Sequence, residues 1–413
     1  MANGPMSGFR ALDLTDEKGF LCGKILADLG VDVIKIEKPG GDPARNIPPF
    51  YHDKSDREKS LYWFAYNTNK RSITLDLEAS QGQDLLRKLV EGADFVIESF
   101  PPHYMDRLGL GYAALSRVNP RIIMTSITPF GQSGPYSDFK ASDIVVQALG
   151  QMSSQQGDPD RAPMRISVPQ AYMNAGADAA GGTMIAHYYR GLTGEGQHVD
   201  VSAMESVMVA GQQGLFPRDV SRTEDKRAGS SMFHGGYYTP YIWECKDGWV
   251  SFVLSAGRTG VRTNQKLTEW MDSEGMAPGF MKEKDWERWD WLQTTQHEFD
   301  SLTRAINLFF KAHTGQELQE EAVKRDVQLN KVCDSADTVS NVQLRARQFW
   351  VNIEHDELDD TITYPGAFAK FSLTPIEARH RAPLIGEHND DIYRKELGLS
   401  KHQLAALKAN GTI

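Results

Sequence analysis

The amino-acid sequence predicts an α/β protein in which an open, doubly wound sheet is joined by a second, smaller α+β domain. Three observations carry this reading. Strand and helix patterns alternate from Phe9 to Ser126, the texture changes near Asp219 to loops rich in glycine and aromatic residues, and 413 residues exceed what one ordinary core accommodates.

Taken in order, residues 9–14 alternate as a first strand, 22–29 form a helix, and 31–36 are a second strand ended by Lys38-Pro-Gly-Gly-Asp42. This βαβ unit makes the sheet parallel there. Residues 73–77 are the next strand, and Ser80 caps a helix over 81–90. A strand at 94–97, mostly helical sequence at 104–116 and a strand at 121–126 follow. After Pro169, the small residues Ala171, Ala175, Ala179, Gly181 and Gly182 spell a helix of about five turns that can lie close to neighbouring backbone. Arg190 and Gly191 mark its end, and the turn Thr193-Gly-Glu-Gly196 leads into a strand at 197–201.

Beyond 219, residues 241–245 and 249–253 form a hairpin joined by an Asp-Gly turn. Helical, charged sequence then runs to about Arg325. Its Trp270, Trp286, Trp289 and Trp291 read as core or domain-contact residues, because aromatic side chains bury large areas. The tail regains the character of the large domain and closes with an amphipathic helix from Ser400 to Lys408. The predicted domains are therefore 1–218 and 331–413 for the large one and 219–330 for the small one.

Composition narrows the function. A net charge of −10 argues against a nucleic-acid binder, which normally presents a basic face. No apolar run approaches a membrane span, and the start MANGPMSGFR lacks a signal-peptide pattern, so the expectation is a cytoplasmic protein. Cys22, Cys245 and Cys333 are too dispersed for a disulfide framework or a metal site, and no metal is expected. In a doubly wound sheet, ligands lie beyond the carboxyl ends of the strands, where loops hold Asp42, Arg45, Glu98, Gly131 and Gly134. The first βα turn, Thr15-Asp-Glu-Lys-Gly19, carries one glycine and not the GxGxxG fingerprint, and no phosphate-binding P-loop occurs, so NAD and ATP have no support.

Six stretches in chain order carry a resemblance: LADLGVDVIKIEKPGGDPAR from Leu26, NKRSITLDL from Asn69, MDRLGLGYAALSRVNPRII from Met105, FGQSGPY from Phe130, TGEGQHVDVS from Thr193 and APLIGEHNDDI from Ala382. Together they make the sequence similar to the class III CoA-transferases, a family that includes formyl-CoA and carnitine CoA-transferases and related acyl-CoA racemases. The resemblance implies a large Rossmann-like domain built from both chain ends, a small domain between them, and two chains threaded through each other as an interlocked dimer. It also implies coenzyme A or acyl-CoA as substrate, lying over the large domain. By position, the CoA contacts fall on Glu17 or Lys18, Lys38, Leu75, Asp76, Leu77, Glu78, Glu98, Ser99, Phe100, Arg107, Lys140 and Asp143. Lys38, Lys140 and Arg107 suit the phosphates of CoA, and each is equally readable as a solvated surface charge. The first turn is one residue shorter than the family's usual form.

One position departs from the family. Its members use an aspartate at the start of the small-residue helix as a nucleophile that takes the acyl group from the thioester. Counting back from Thr193, that position holds Tyr172. A phenol with a pKa near 10 is a weak nucleophile at neutral pH and has no acyl carbon with which to form an anhydride. Asp178 lies six residues on, about 240° around the helix, and so faces elsewhere. Asp143 matches a glutamate that formyl-CoA transferase carries near the site, a place for holding substrate and not for attack. The racemase branch fits poorly, because its histidine and aspartate fall near Ser142 and Tyr172 and no base is present.

Two readings follow. In one, the chain is the non-nucleophilic subunit of a dimer or heterotetramer whose paralogous partner supplies the aspartate, as in enzymes that move CoA between succinyl-CoA and benzylsuccinate in anaerobic toluene breakdown. In the other, it is a stand-alone CoA-binding protein or a relative with changed chemistry. The accepting acid is not legible. Phe233, His234, Tyr237 and Tyr238 suit an aromatic acid as well as they suit a domain interface.

Overall fold

The computed structural model describes residues 4–211, 220, 222, 227–234, 237–254, 257–290 and 293–413. Trp291, the boundary at 218/219 and the side chains of Phe233, His234 and Tyr237 lie outside the described residues. The chain forms two compact units, one of Met1–Met152, Ile166–Gln212 and Gln343–Ile413, the other of Ser153–Arg165 and Gln213–Val342. The second unit thus differs from 219–330 at both edges. Its loop 153–165 is held by the backbone of Gly229, which donates to Gly157 O at 3.1 Å, and by Arg227, which donates to Arg161 O at 2.8 Å.

In the first unit the elements run β1 (Arg10–Leu14), α1 (Phe20–Asp28), β2 (Asp32–Glu37), α2 (Leu61–Asn67), β3 (Arg71–Thr74), α3 (Ser80–Glu91), β4 (Phe95–Glu98), α4 (Tyr104–Arg107), α5 (Tyr112–Val118), β5 (Ile123–Thr128), α6 (Asp143–Leu149), α7 (Gln170–Thr193), β6 (His198–Ser202) and α8 (Ala203–Ala210). The six strands make one parallel sheet in the order β3-β2-β1-β4-β5-β6. This is the doubly wound order, with its reversal between β1 and β4. Strand alternation sends Leu12, Ile34, Ile36 and Ile73 to the layer of α3 and α5, and Ala11, Val33, Phe95 and Ile97 to the layer of α1, α6, α7 and α8.

Local differences from the sequence reading have local causes. Ser80 is the first residue of α3 and its side chain makes no cap; Ala79 holds the N-cap position. The helical stretch at 104–116 is two short helices, parted where Gly109 takes φ +66. The strand β3 ends at Thr74; Leu75 still donates its N–H to Glu37 O at 2.7 Å, and residues 76–77 lie beyond it. The long helix α7 has 24 residues and passes Gly191 to end at Thr193, where Gly194 takes φ +86 and its N–H bonds Arg190 O at 2.8 Å. Its small residues do bring it close to α1: a Cβ on Gly176 would meet Leu21 Cβ at 2.9 Å.

The second unit contains the hairpin β7 (Ser231–His234) and β8 (Tyr237–Pro240), then β9 (Ile242–Cys245), β10 (Gly248–Phe252), α9 (Gly257–Ser273), α10 (Gly279–Lys282), α11 (Gln296–Ala312), α12 (Gly315–Arg325), β11 (Leu329–Lys331) and α13 (Ser335–Ser340). Antiparallel β9 and β10 pair Cys245 with Gly248, so the connecting residues are Lys246 and Asp247 and the glycine already belongs to the strand. Because β11 completes this three-stranded sheet, the unit extends past 330. Trp243, Trp270, Trp286 and Trp289 are buried in its core with Phe252, Phe299, Phe309 and Phe310. The chain continues through α14 (Val342–Ala346) into the first unit, which gains the hairpin β12 (Trp350–His355) and β13 (Asp360–Pro365) and the last helix α15 (Lys401–Ala409), capped by Ser400 and Gln403 reciprocally.

Candidate active site

A cleft of about 230 Å³ opens at the carboxyl edge of the sheet, bordered by Leu14 at the end of β1, Glu37 and Lys38 at the end of β2, Leu75 and Leu77 after β3, and Ser99 and Phe100 after β4. It therefore sits at the β1/β4 reversal, where an open α/β sheet leaves a crevice for ligands. Tyr104 closes one side; its hydroxyl donates to Glu78 at 2.6 Å, and the Arg107 guanidinium lies 5.8 Å from its ring centroid. Five of the predicted contacts, Lys38, Leu75, Leu77, Ser99 and Phe100, line this cleft.

The walls are held by buried charge. Asp13 on β1 is fully enclosed and pairs with Lys70 at 2.8 Å; burial disfavours its charge, yet Lys70 and Lys35 hold its carboxyl below the usual range. The same carboxylate accepts from Thr15 N at 3.0 Å and Thr15 Oγ1 at 2.6 Å, while Lys35 donates to Thr15 O. These contacts fix the first βα turn. Across the crevice, Asp16 N donates to Ser99 Oγ at 2.8 Å and Ser99 Oγ donates back to Asp16 Oδ1 at 2.7 Å, tying the β1 and β4 loops together. Glu37, also against burial, is kept ionised by Arg45, whose Nε and Nη2 donate at 2.7 and 2.8 Å. Lys18 is paired with Asp16.

Tyr172 occupies the first turn of α7 and is 6% exposed. Burial, followed by the nearby charges of Glu17, Asp143 and Asp16, pushes its phenol well above the ordinary tyrosine range. The neighbouring Tyr62 is shifted the same way by burial, Tyr66 and Glu17, and its hydroxyl has no hydrogen-bond partner. Asp143 is committed to scaffolding on both oxygens: Oδ1 accepts from Tyr172 N at 3.1 Å, and Oδ2 accepts from Gln147 Nε2. Since Pro169 at the N-cap position offers no side-chain oxygen, Asp143 caps α7 from a different helix.

The remaining predicted residues lie apart from the cleft lining. Lys140 is exposed, Asp143 is at the α7 terminus, and Asp76 donates its N–H to Thr412 O at 2.8 Å. Glu98, 3% exposed, borders a separate polar cavity of about 250 Å³ with Ser126, Gln132 and His198. Asp178 is exposed on α7. Sequence reasoning missed Asp16, Tyr104, Lys35 and Lys70; the lysine among the apolar residues of strand 31–36, Lys35, was a visible sign of a buried cation. Among the described residues, no group of His, Cys, Asp and Glu is placed to hold a metal, and no helix is long and apolar enough to cross a membrane.

Comparison with known proteins matches residues 6–389 to the model of CoA-transferase family III. The chain is 34% identical over 392 residues to succinyl-CoA:(R)-benzylsuccinate CoA-transferase subunit BbsE of Thauera aromatica, covering 94% of this chain and 93% of that one. It is 30% identical over 436 residues to formyl-CoA:oxalate CoA-transferase of Streptomyces avermitilis, covering 99% of each. Among solved structures, a CAIB/BAIF family protein from Brucella suis superposes with TM-score 0.80 at 26% identity, over 95% of this chain and 99% of that one.

Proposed function

The chain belongs to CoA-transferase family III, and from this we propose that it is the subunit that binds the CoA thioester without carrying the acyl group. The observation that carries the proposal is the buried phenol of Tyr172, raised well above the ordinary tyrosine range, at the place that counting back from Thr193 gives to the family nucleophile. A family aspartate would attack the thioester carbonyl, release CoA thiolate and hold the acyl group as a mixed anhydride. Tyr172 lacks the carboxyl, Asp143 has both oxygens engaged, and Asp178 faces solvent. The covalent step falls to a paralogous partner chain that retains the aspartate.

The thioester is succinyl-CoA and the acceptor a carboxylic acid, (R)-benzylsuccinate being the one named for the relative BbsE, itself a subunit. Lys38, with Arg107 beside Tyr104, answers the phosphates of CoA, and the apolar wall of Leu14, Ile36, Leu75 and Leu77 answers its adenine. Assembly with a second chain, as an interlocked dimer or a heterotetramer, is supported by Ile185, Tyr188, Tyr189 and Leu192. These lie at helical spacing on α7 and are all exposed. The test is to assay transfer from succinyl-CoA with the chain alone, with an adjacently encoded paralogue alone, and with both. Activity confined to the pair supports the proposal; turnover by this chain alone refutes it.

A further inference from the structure

The end of β4 presents two faces to two cavities. Ser99 and Phe100 wall the cleft, whereas the preceding residue, Glu98, points to the polar cavity behind it. The two are not independent. Glu98 Oε2 accepts the Phe100 N–H at 2.7 Å, the Ser126 hydroxyl is hydrogen-bonded to the same carboxyl, and Ser126 Oγ lies 2.8 Å from His198 Nε2. A carboxyl that accepts from the N–H two residues on bends the chain at the strand end, so the place of Phe100 depends on it.

We propose that Glu98 is a positioning residue for CoA recognition: through the chain Phe100–Glu98–Ser126–His198 it sets the Ser99–Phe100 wall of the cleft. This rests on the cleft being the CoA site. An amide would accept the same N–H without the cost of a buried acid, so the choice of a carboxyl calls for a second reason. The groups facing it supply one. Asp16 from the first βα turn and Asp200 from β6 are both acidic, His198 is held mostly neutral by burial, and His103 and Asp106 border the same cavity. Burial first, then Asp16 and Asp200, raise the Glu98 carboxyl to about 7, against the hydrogen bonds from Ser126 and Phe100. Near neutral pH the group therefore gains or loses a proton next to the site of a polyanionic ligand. Linkage makes the two equilibria favour each other: CoA prefers the protonated form, and bound CoA prefers to keep it.

The experiment measures CoA affinity by calorimetry at pH 6 and pH 8 for the native chain, Glu98→Gln and Glu98→Ala, with thermal unfolding checked for each. Titration of CoA itself cancels in the ratio of native to variant. Glu98→Gln keeps the acceptor for Phe100 and should match the native Kd within about twofold at pH 6 and bind about fivefold tighter at pH 8. Glu98→Ala should weaken binding about tenfold at pH 6, a loss that Glu98→Gln does not show. A native-to-Gln ratio that stays constant between the two pH values, or an alanine variant that binds as the native chain does, overturns the inference while leaving the CoA site in place. A native chain that binds no CoA at either pH refutes the proposed function and this inference with it.

Discussion

The carboxylate of Asp143 accepts the backbone N–H of Tyr172 at 3.1 Å, so α6 supplies the cap that α7 cannot supply for itself. A helix of 24 residues leaves several N–H groups without partners at its start, and the positive end of its dipole favours an anion there. Asp143→Ala should therefore cost about 1–2 kcal/mol, measured as a shift in urea midpoint at constant slope, and Asp143→Asn less. An unchanged midpoint in the alanine variant would show that water replaces the cap.

The hydroxyl of Tyr172 has no part in group transfer on this account. Tyr172→Phe should leave the rate of the assembled pair within about twofold, since the ring that fills the site is retained. A fall of 100-fold or more would instead mark the phenol as a general acid, a role worth about 10²–10⁴ in rate.

The enclosed pair of Asp13 and Lys70 makes a prediction about stability. Lys70→Met leaves a carboxylate with its principal partner gone, which typically costs about 3–5 kcal/mol, whereas Asp13→Asn combined with Lys70→Met should recover part of it. Chemical unfolding of the two variants compares them directly. Equal losses in both would mean that packing around the lysine stem, and not charge, sets the effect.

Acid titration of stability tests Glu98. Its carboxyl ionises at the ordinary 4.5 in the unfolded chain and at about 7 in the folded one, so the folded state binds the extra proton between those values. The resulting stabilisation is complete below pH 4.5 and fades as pH rises to about 7, by about 3 kcal/mol. The difference in unfolding free energy between native chain and Glu98→Gln should follow that fall and level off above it. A difference that is flat from pH 4.5 to 7 would show that the carboxyl is ionised throughout.

Much of the architecture was legible because strands and helices of the sheet alternate with clear turn residues between them, and because a parallel sheet buries nearly continuous apolar runs. That the stretch from Tyr172 to Thr193 is one unbroken helix, as counting back from the TGEGQ turn assumes, was legible from its run of small residues. Leu75 and Leu77 misled as strand residues: they continue the alternation of β3, but serve the cleft and the core past its end at Thr74. What stayed hidden depends on long-range pairing. Asp16 and Ser99 are 83 residues apart and meet only because β1 and β4 are neighbours. The resemblance places Asp143 near the substrate, but its bond to Tyr172 N, a cap between two helices from 29 residues away, leaves no mark in the sequence. Which cavity Glu98 faces depends on strand direction at the last residue of β4, a matter of one residue in register.

The central claim is that this chain holds the thioester and never carries the acyl group. The most direct measurement is to incubate the assembled pair with succinyl-CoA, quench with hydroxylamine, and locate the resulting hydroxamate by peptide mass spectrometry. The account predicts the modification on an aspartate of the partner chain and none on this one. A hydroxamate on any carboxyl of this chain, Glu17, Asp143 or Asp178 included, would contradict it.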